Sequence, residues 1–358
     1  MNKLRFGILG TADIARKNWK GIRNSGNATV VAVASRDLGR CERFVANCQA
    51  SAPMGNAVAS FGSYEELIGA EDVDAVYVPL PTGLRKEWVI RAAKAGKHVV
   101  CEKPCASSAA DLREMIEACR KHRVQFMDGV MFMHSRRLEA MRGEIESKGF
   151  GGLKRITSAF SFFGGKEFYA SNIRADRKLE PFGCLGDLGW YCIRLSLWAM
   201  EERLPVSVTG RILREFRGIP TEFSGELIFR GGVSASIYCS FDTATEQWAI
   251  IAGSQASIRL PDFVLPFFGD TIKFETFASD LAKIGCDFNM EPRRRTVETA
   301  EYSNGQESSQ ETNLFRDFAA QVQSGKLNRE WPEIALKTQR VMEACLKSAR
   351  GGGSQQAV

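Results

Sequence analysis

Leu4-Arg5-Phe6-Gly7-Ile8-Leu9-Gly10-Thr11-Ala12-Asp13-Ile14-Ala15 is the stretch that decides the fold. Leu4 to Leu9 reads as a buried strand, and Ala12 to Arg23 as a helix with one apolar face. Between them stands a turn of small residues. Its frame, Gly10-x-Ala12-x-x-Ala15, matches the dinucleotide fingerprint with alanine at two glycine places. Gly10 permits the tight turn. Ala12 is small enough for a pyrophosphate to approach the backbone, and Ala15 lets helix and strand pack closely. The backbone N–H groups of Thr11, Ala12, Asp13 and Ile14 then face the phosphates at the helix start.

Outward from this unit, strand and helix alternate. Thr29 to Ala34, Val58 to Phe61, Asp74 to Val78, Lys97 to Cys101 and Val124 to Asp128 read as strands. Asp37 to Cys48 and Leu84 to Ala95 read as helices, the latter stopped by Gly96. Ser63-Tyr64-Glu65-Glu66 and Ser108 to Asp111 have capping-box spacing and start two more. Such alternation implies an α/β unit with a doubly wound parallel sheet, expected over residues 1–130. The second half changes character. Leu153 to Phe163, Val206 to Phe216, Glu226 to Phe229, Val233 to Phe241, Trp248 to Ala252 and Ala256 to Leu260 read as strands, with Arg230-Gly231-Gly232 as a tight hairpin turn. Helices are expected at about Gly186 to Met200, Leu314 to Ser324 and Ile334 to Ser348. An α+β domain over 131–349, built on one large, mostly antiparallel, open-faced sheet, is the expectation. The glycine-rich tail 350–358 is expected to be disordered.

At 358 residues the chain has room for two such domains. Its net charge of +6 is scattered, and the densest basic run, Arg293-Arg294-Arg295, lacks interleaved aromatics. That run reads as a solvated loop, and no nucleic-acid partner is expected. The ten cysteines form no C-x-x-C pair, and several lie in apolar stretches (Cys101, Cys119, Cys192, Cys239), which points to a reducing compartment. The three histidines, His98, His122 and His134, have no metal-ligand spacing, so no metal is expected. No basic-then-apolar leader precedes Leu4 and no apolar run approaches membrane-spanning length, so a cytoplasmic protein without a membrane partner is expected.

The end of the second strand bears on the cofactor. NAD-binding folds usually place an acid there for the ribose 2′-hydroxyl. This chain has Ser35-Arg36-Asp37. Ser35 can hydrogen-bond a 2′-phosphate, and Arg36 can pair with it and stack on adenine. NADP is favoured. NAD stays possible through Asp37, unless Asp37 is simply the N-cap of the next helix.

His98-Val99-Val100-Cys101-Glu102-Lys103-Pro104 delivers a lysine to the carboxyl end of a buried strand, where ligands bind in open parallel sheets. Farther on, Gly183-Cys184-Leu185-Gly186-Asp187-Leu188-Gly189-Trp190-Tyr191-Cys192-Ile193 opens a helix. Asp187 and Tyr191, four apart, share one face. Tyrosine is a poor base unless a nearby cation such as Lys103 lowers its pKa.

These landmarks, with Asp74-Ala75-Val76-Tyr77-Val78-Pro79 and Leu80-Pro81-Thr82, resemble the glucose–fructose oxidoreductase / inositol dehydrogenase / rhizopine-catabolism (Gfo/Idh/MocA) family from about residue 3 to residue 349. The nearest branch looks like the dihydrodiol dehydrogenases and NADP-dependent D-xylose dehydrogenases, in particular their plant-type members. The resemblance implies that Lys103 stabilises charge on the reacting oxygen, that Tyr191 is the general acid/base and that Asp187 orients substrate hydroxyls. It also implies that Pro104 sits by the nicotinamide and that Pro79, Leu80, Pro81 and Glu102 line the cofactor. Two departures stand out: many members carry histidine in place of Tyr191, and many carry histidine in place of Arg85. Around the implied site lie Phe132, Met133, His134, Phe163, Asn172, Arg174 and Trp190. Of these, His134, Trp190, Arg174 and Phe163 are the expected substrate contacts. The expected reaction is hydride transfer between NADP and a sugar or cyclic-diol C–OH, first an aldose C1 such as that of D-xylose, second a trans-dihydrodiol. Rival readings are an NAD-assisted glycosidase and a non-catalytic redox sensor. The open sheet face implies a homodimer.

Overall fold

The computed structural model describes residues 3–358. Six parallel strands form the first sheet: β1 (Leu4–Leu9), β2 (Ala28–Ala34), β3 (Ala59–Phe61), β4 (Ala75–Val78), β5 (His98–Cys101) and β6 (Phe126–Asp128). Their order is β3-β2-β1-β4-β5-β6, the doubly wound arrangement with its switch point between β1 and β4. Helices α1 (Asp13–Asn24), α2 (Leu38–Ser51), α3 (Tyr64–Gly69), α4 (Thr82–Lys94) and α5 (Ala109–Lys121) connect them. β4 is buried along its whole length, which is why it reads as a continuous apolar run rather than an alternation. Ser63 and Ser108 cap α3 and α5 by accepting from Glu66 and Asp111 N–H, as their spacing predicts.

The second sheet has eight strands: β7 (Leu153–Phe163), β8 (Ser207–Phe216), β9 (Ile219–Ile228), β10 (Ser234–Ser240), β11 (Asp242–Gly253), β12 (Ser257–Leu260), β13 (Thr271–Ile284) and β14 (Asp287–Ala300). Their order is β14-β13-β12-β11-β7-β10-β9-β8, antiparallel throughout except for β10 beside β7. Gly231 and Gly232, both at positive φ, make the predicted β9–β10 turn. Helices α6 (Arg137–Glu146), α7 (Gly165–Ser171), α8 (Trp190–Ala199), α9 (Gln310–Gln323) and α10 (Glu330–Arg350) complete the chain. α8 packs under β7 and β10, α9 against α1, and α10 against β8, α8, β6 and α5. The last two helices therefore bind the halves together.

Three expectations need correction. The strands β13 and β14 form a long hairpin that alternation did not signal, because β14 is exposed over nearly all its length and needs no apolar face. Arg293-Arg294-Arg295 lie in β14, not in a loop. The tail is not free: Gln356 pairs with Val208 through both backbone groups, and the Ser348 hydroxyl bonds the Ser354 carbonyl. Backbone pairing along β8 orders a segment whose composition alone says nothing in its favour.

Candidate active site

Gly10 adopts φ +106°, which a side chain would resist, and a Cβ there would also press on Leu80 at 3.2 Å. α1 has no side-chain cap at Ala12, so the N–H groups of its first turn are open to an anion. At the end of β2, Asp37 spends its carboxylate as the N-cap of α2, accepting from Arg40 N–H at 2.9 Å. One oxygen of the acid that would hold a free ribose is thus engaged, and the Ser35 hydroxyl accepts from Asp37 N–H at 3.4 Å. The Tyr64 hydroxyl stands 3.8 Å from the position of a Cβ on Gly10. Burial pushes its phenol up, and Arg36 and Arg40 partly offset that. The donor set at this strand end suits a phosphate.

β5 carries Lys103 to the sheet edge. The Lys103–Pro104 peptide is cis. Glu102, buried behind it, accepts from the Tyr77 hydroxyl at 2.7 Å and from Asn18, so α1, β4 and β5 meet at one carboxylate. A single π-helical turn, Leu185–Gly189, brings Asp187 over the same edge before α8 begins. Gly186 is needed there: a Cβ would meet Phe182 at 2.7 Å and Pro104 at 3.1 Å.

Lys103 Nζ donates to Asp187 Oδ1 and to its backbone carbonyl, each at 2.7 Å, and Arg174 Nε donates to Asp187 Oδ2 at 2.7 Å. Burial alone would raise the Asp187 carboxyl. Arg174 and Lys103 outweigh it and hold the group well below the usual carboxylate range.

Tyr191 lies next to this cluster but not as expected. Lys103 Nζ sits over its ring, 4.7 Å from the centroid. The hydroxyl's recorded partner is the Met131 sulfur at 3.8 Å, a weak acceptor. Burial pushes the phenol well above its ordinary value, and the negative charges of Glu102 and Asp187 add to that. The lowered pKa expected from sequence is therefore not found, because burial and the neighbouring carboxylates outweigh the nearby cations.

The other expected contacts divide. Arg174 joins the cluster. His134 instead bonds Asp317 through Nδ1 at 2.7 Å and meets the Trp331 ring edge, a structural contact against α9 and α10. Trp190 is fully buried beside Arg194 and belongs to the core, with an indole N–H that meets no acceptor. Phe163 points outward at the end of β7 and is 70% exposed, while Phe160, on the same strand, packs on Tyr191 at 5.6 Å.

Sequence reasoning missed a second tier. Arg194, one turn after Tyr191, pairs with Asp128 at the end of β6, both fully buried, and so seats α8 on the first sheet. Glu180 reaches back across the halves: its carboxylate accepts from Thr82 N–H at 3.1 Å and from the Thr82 hydroxyl at 2.6 Å, while Leu179 carbonyl takes Gly83 N–H. α4 begins at Pro81 without a local side-chain cap, so the second half caps it. Arg85 bonds Leu80, Thr82 and Pro104. No spacing rule relates these residues, since 98 positions separate Thr82 from Glu180.

Comparison with known proteins agrees with this architecture. Residues 4–130 match the oxidoreductase family with NAD-binding Rossmann fold, and residues 138–259 match the GFO/IDH/MocA C-terminal domain. The chain is 29% identical over 354 residues to D-xylose 1-dehydrogenase (NADP(+)) 2 of Haloferax volcanii, covering 98% of this chain and 99% of that protein. It is 30% identical over 268 residues to trans-1,2-dihydrobenzene-1,2-diol dehydrogenase of Mus musculus, covering 74% and 76%. In fold it resembles the 3-ketoreductase KijD10 of Actinomadura kijaniata, solved with NADP and TDP-benzene, at TM-score 0.80 and 24% identity over 97% of this chain and 98% of that one. With both halves matched in order, this chain belongs to the GFO/IDH/MocA family of oxidoreductases.

Proposed function

We propose that the chain is an NADP-dependent dehydrogenase or reductase acting on a sugar or cyclic-diol C–OH. The observation that carries this reading is the Lys103–Asp187–Arg174 cluster beside a protonated Tyr191, at the sheet edge that the phosphate loop also faces. NADP is favoured over NAD because Asp37 is engaged as a cap while Ser35, Arg36, Arg40 and Tyr64 gather at the strand end. When bound, the nicotinamide supplies or accepts the hydride.

The protein's part is proton handling and placement. Two of the three Lys103 protons go to Asp187, which leaves one for a substrate oxygen. Asp187 fixes the ammonium and stays ionised. Arg174, on the far oxygen of Asp187, would take a second substrate hydroxyl through its remaining N–H groups. Tyr191 holds its proton at neutral pH, so in reduction it acts as the acid, giving that proton to the carbonyl oxygen as the hydride arrives at carbon. Oxidation needs the phenolate as base, so Tyr191 must first release that proton to solvent, and the raised phenol favours reduction near neutral pH. An aldose oxidised at C1, such as D-xylose, is the first substrate class and a trans-dihydrodiol the second. The names of the relatives support both.

The experiment is a panel of aldoses and cyclic diols followed at the nicotinamide absorbance with NADP and NAD in parallel. Lys103→Met and Tyr191→Phe should keep NADPH binding and lose roughly 100-fold or more in kcat. Unchanged turnover in both variants removes the proposed roles, and preference for NAD removes the cofactor assignment.

A further inference from the structure

Arg85 is 5% exposed and lies in the first turn of α4. Its Nε donates to the Leu80 carbonyl at 2.6 Å, and its Nη1 donates to the Thr82 hydroxyl at 3.1 Å and to the Pro104 carbonyl. None of these acceptors is a carboxylate. A buried cation so placed is costly to desolvate, and it stands at a helix N-terminus where the dipole is already positive. Three well-aimed acceptors offset that cost.

The acceptors belong to two different chain exits. β4 and β5 pair side by side up to Val78 and Cys101, and the last ladder bond runs from Glu102 N–H to the Val78 carbonyl. Beyond it the strands have no common backbone bond. Leu80 continues one exit, which carries the loop against Gly10. Pro104 continues the other, directly after Lys103. The planar guanidinium spans the gap that the ladder leaves. Thr82 extends the brace by donating to Glu180, in the segment that also carries Arg174.

We infer that Arg85 is a positioning residue: it cross-braces the exits of β4 and β5 and so holds the Leu80–Pro81 loop and Lys103 in one register. A lysine at this place keeps the charge but cannot span three acceptors in a fixed fork. This inference rests on the oxidoreductase reading for its kinetic consequence, not for its geometry.

The test compares Arg85→Lys and Arg85→Met with the parent chain in three measurements. Amide hydrogen exchange, made without cofactor, should rise at residues 80–84 and 102–106 in both variants and stay unchanged in β1 and β2. The NADPH dissociation constant, read by fluorescence, should rise by roughly fivefold or more, and kcat should fall by roughly 10–100-fold with substrate KM little changed, in Arg85→Lys as in Arg85→Met. Arg85→Lys behaving like the parent in exchange and in affinity overturns the brace, since charge alone would then suffice. A lowered melting temperature with parental exchange at both loops overturns it as well. Absence of any turnover or NADPH binding in the parent chain defeats the oxidoreductase reading instead, and the exchange measurement still decides the role of Arg85.

Discussion

Glu301 shows how one side chain ties this fold to pH. It is fully buried, accepts from Arg136 N–H and the Ser135 hydroxyl through one oxygen, and has no partner for the other. Burial raises its pKa to about 7, with smaller lowering by those two donors and by Arg137. A carboxyl whose folded value exceeds its unfolded one holds an extra proton in the folded state. Its contribution to stability is complete below about pH 4.5 and is lost as pH rises through about 7. Glu301→Gln should therefore gain on the parent chain across that window, by up to about 3 kcal/mol at pH 8. Urea unfolding at pH 5 and pH 8 reads this directly, and an equal difference at both pH values would show that Glu301 does not titrate there. Residue types at the candidate site were legible in the sequence, and residue directions were not. Lys103 and Asp187 converge as their motifs imply, and Arg174, expected only as a substrate contact, joins them. His134, Phe163 and Trp190 have the right chemistry for a substrate but face α9, solvent and the core, because strand pleat and helix rotation decide facing.

Among the elements, α4 has its first N–H groups satisfied by a distant segment, as α5 has its first N–H satisfied by Glu343 of α10. Removing that cap with Glu180→Ala should destabilise the protein by about 1 kcal/mol, as loss of an N-cap commonly does. A thermal melt reads it, and Glu180→Gln, which keeps an acceptor oxygen, should recover part of the loss. An unchanged melting temperature in Glu180→Ala would mean that water replaces the carboxylate at no cost. Elements whose signal is local were readable: the phosphate-loop unit, both serine caps and the Gly231–Gly232 turn follow from sequence spacing. The π turn at Leu185–Gly189 was read as ordinary helix, since its extra residue per turn leaves no compositional mark. The β13–β14 hairpin was missed for a different reason. Its 14-residue strands leave much of both faces in water, so period-2 alternation has nothing to enforce it.

For the molecule as a whole, that hairpin bears on assembly. Leu281, Phe288 and Met290, which share one face by the hairpin's register, are each at least half exposed toward its tip, while Ile284 is exposed on the opposite face. The edge strand β14 carries Pro292 and three successive arginines, which discourage a further strand from adding in register. We propose that a second copy covers the apolar part of the hairpin face rather than extending the sheet. Sedimentation at micromolar concentration should then give a dimer, and Leu281→Asp with Phe288→Asp should give a monomer. A parent chain that is monomeric at that concentration ends the proposal.

The cap on α4 also constrains how such a protein can be recombined. The acceptor on Glu180 and the donors on Thr82 lie on opposite sides of any crossover placed between the two halves. A chimera that grafts these first 130 residues onto the C-terminal half of another family member inherits a helix end without its partner, unless the donor carries an acid at the matching place. Exchange between lineages is therefore penalised at the Glu180 carboxylate, since the Thr82 N–H it caps is present whatever residue stands at 82.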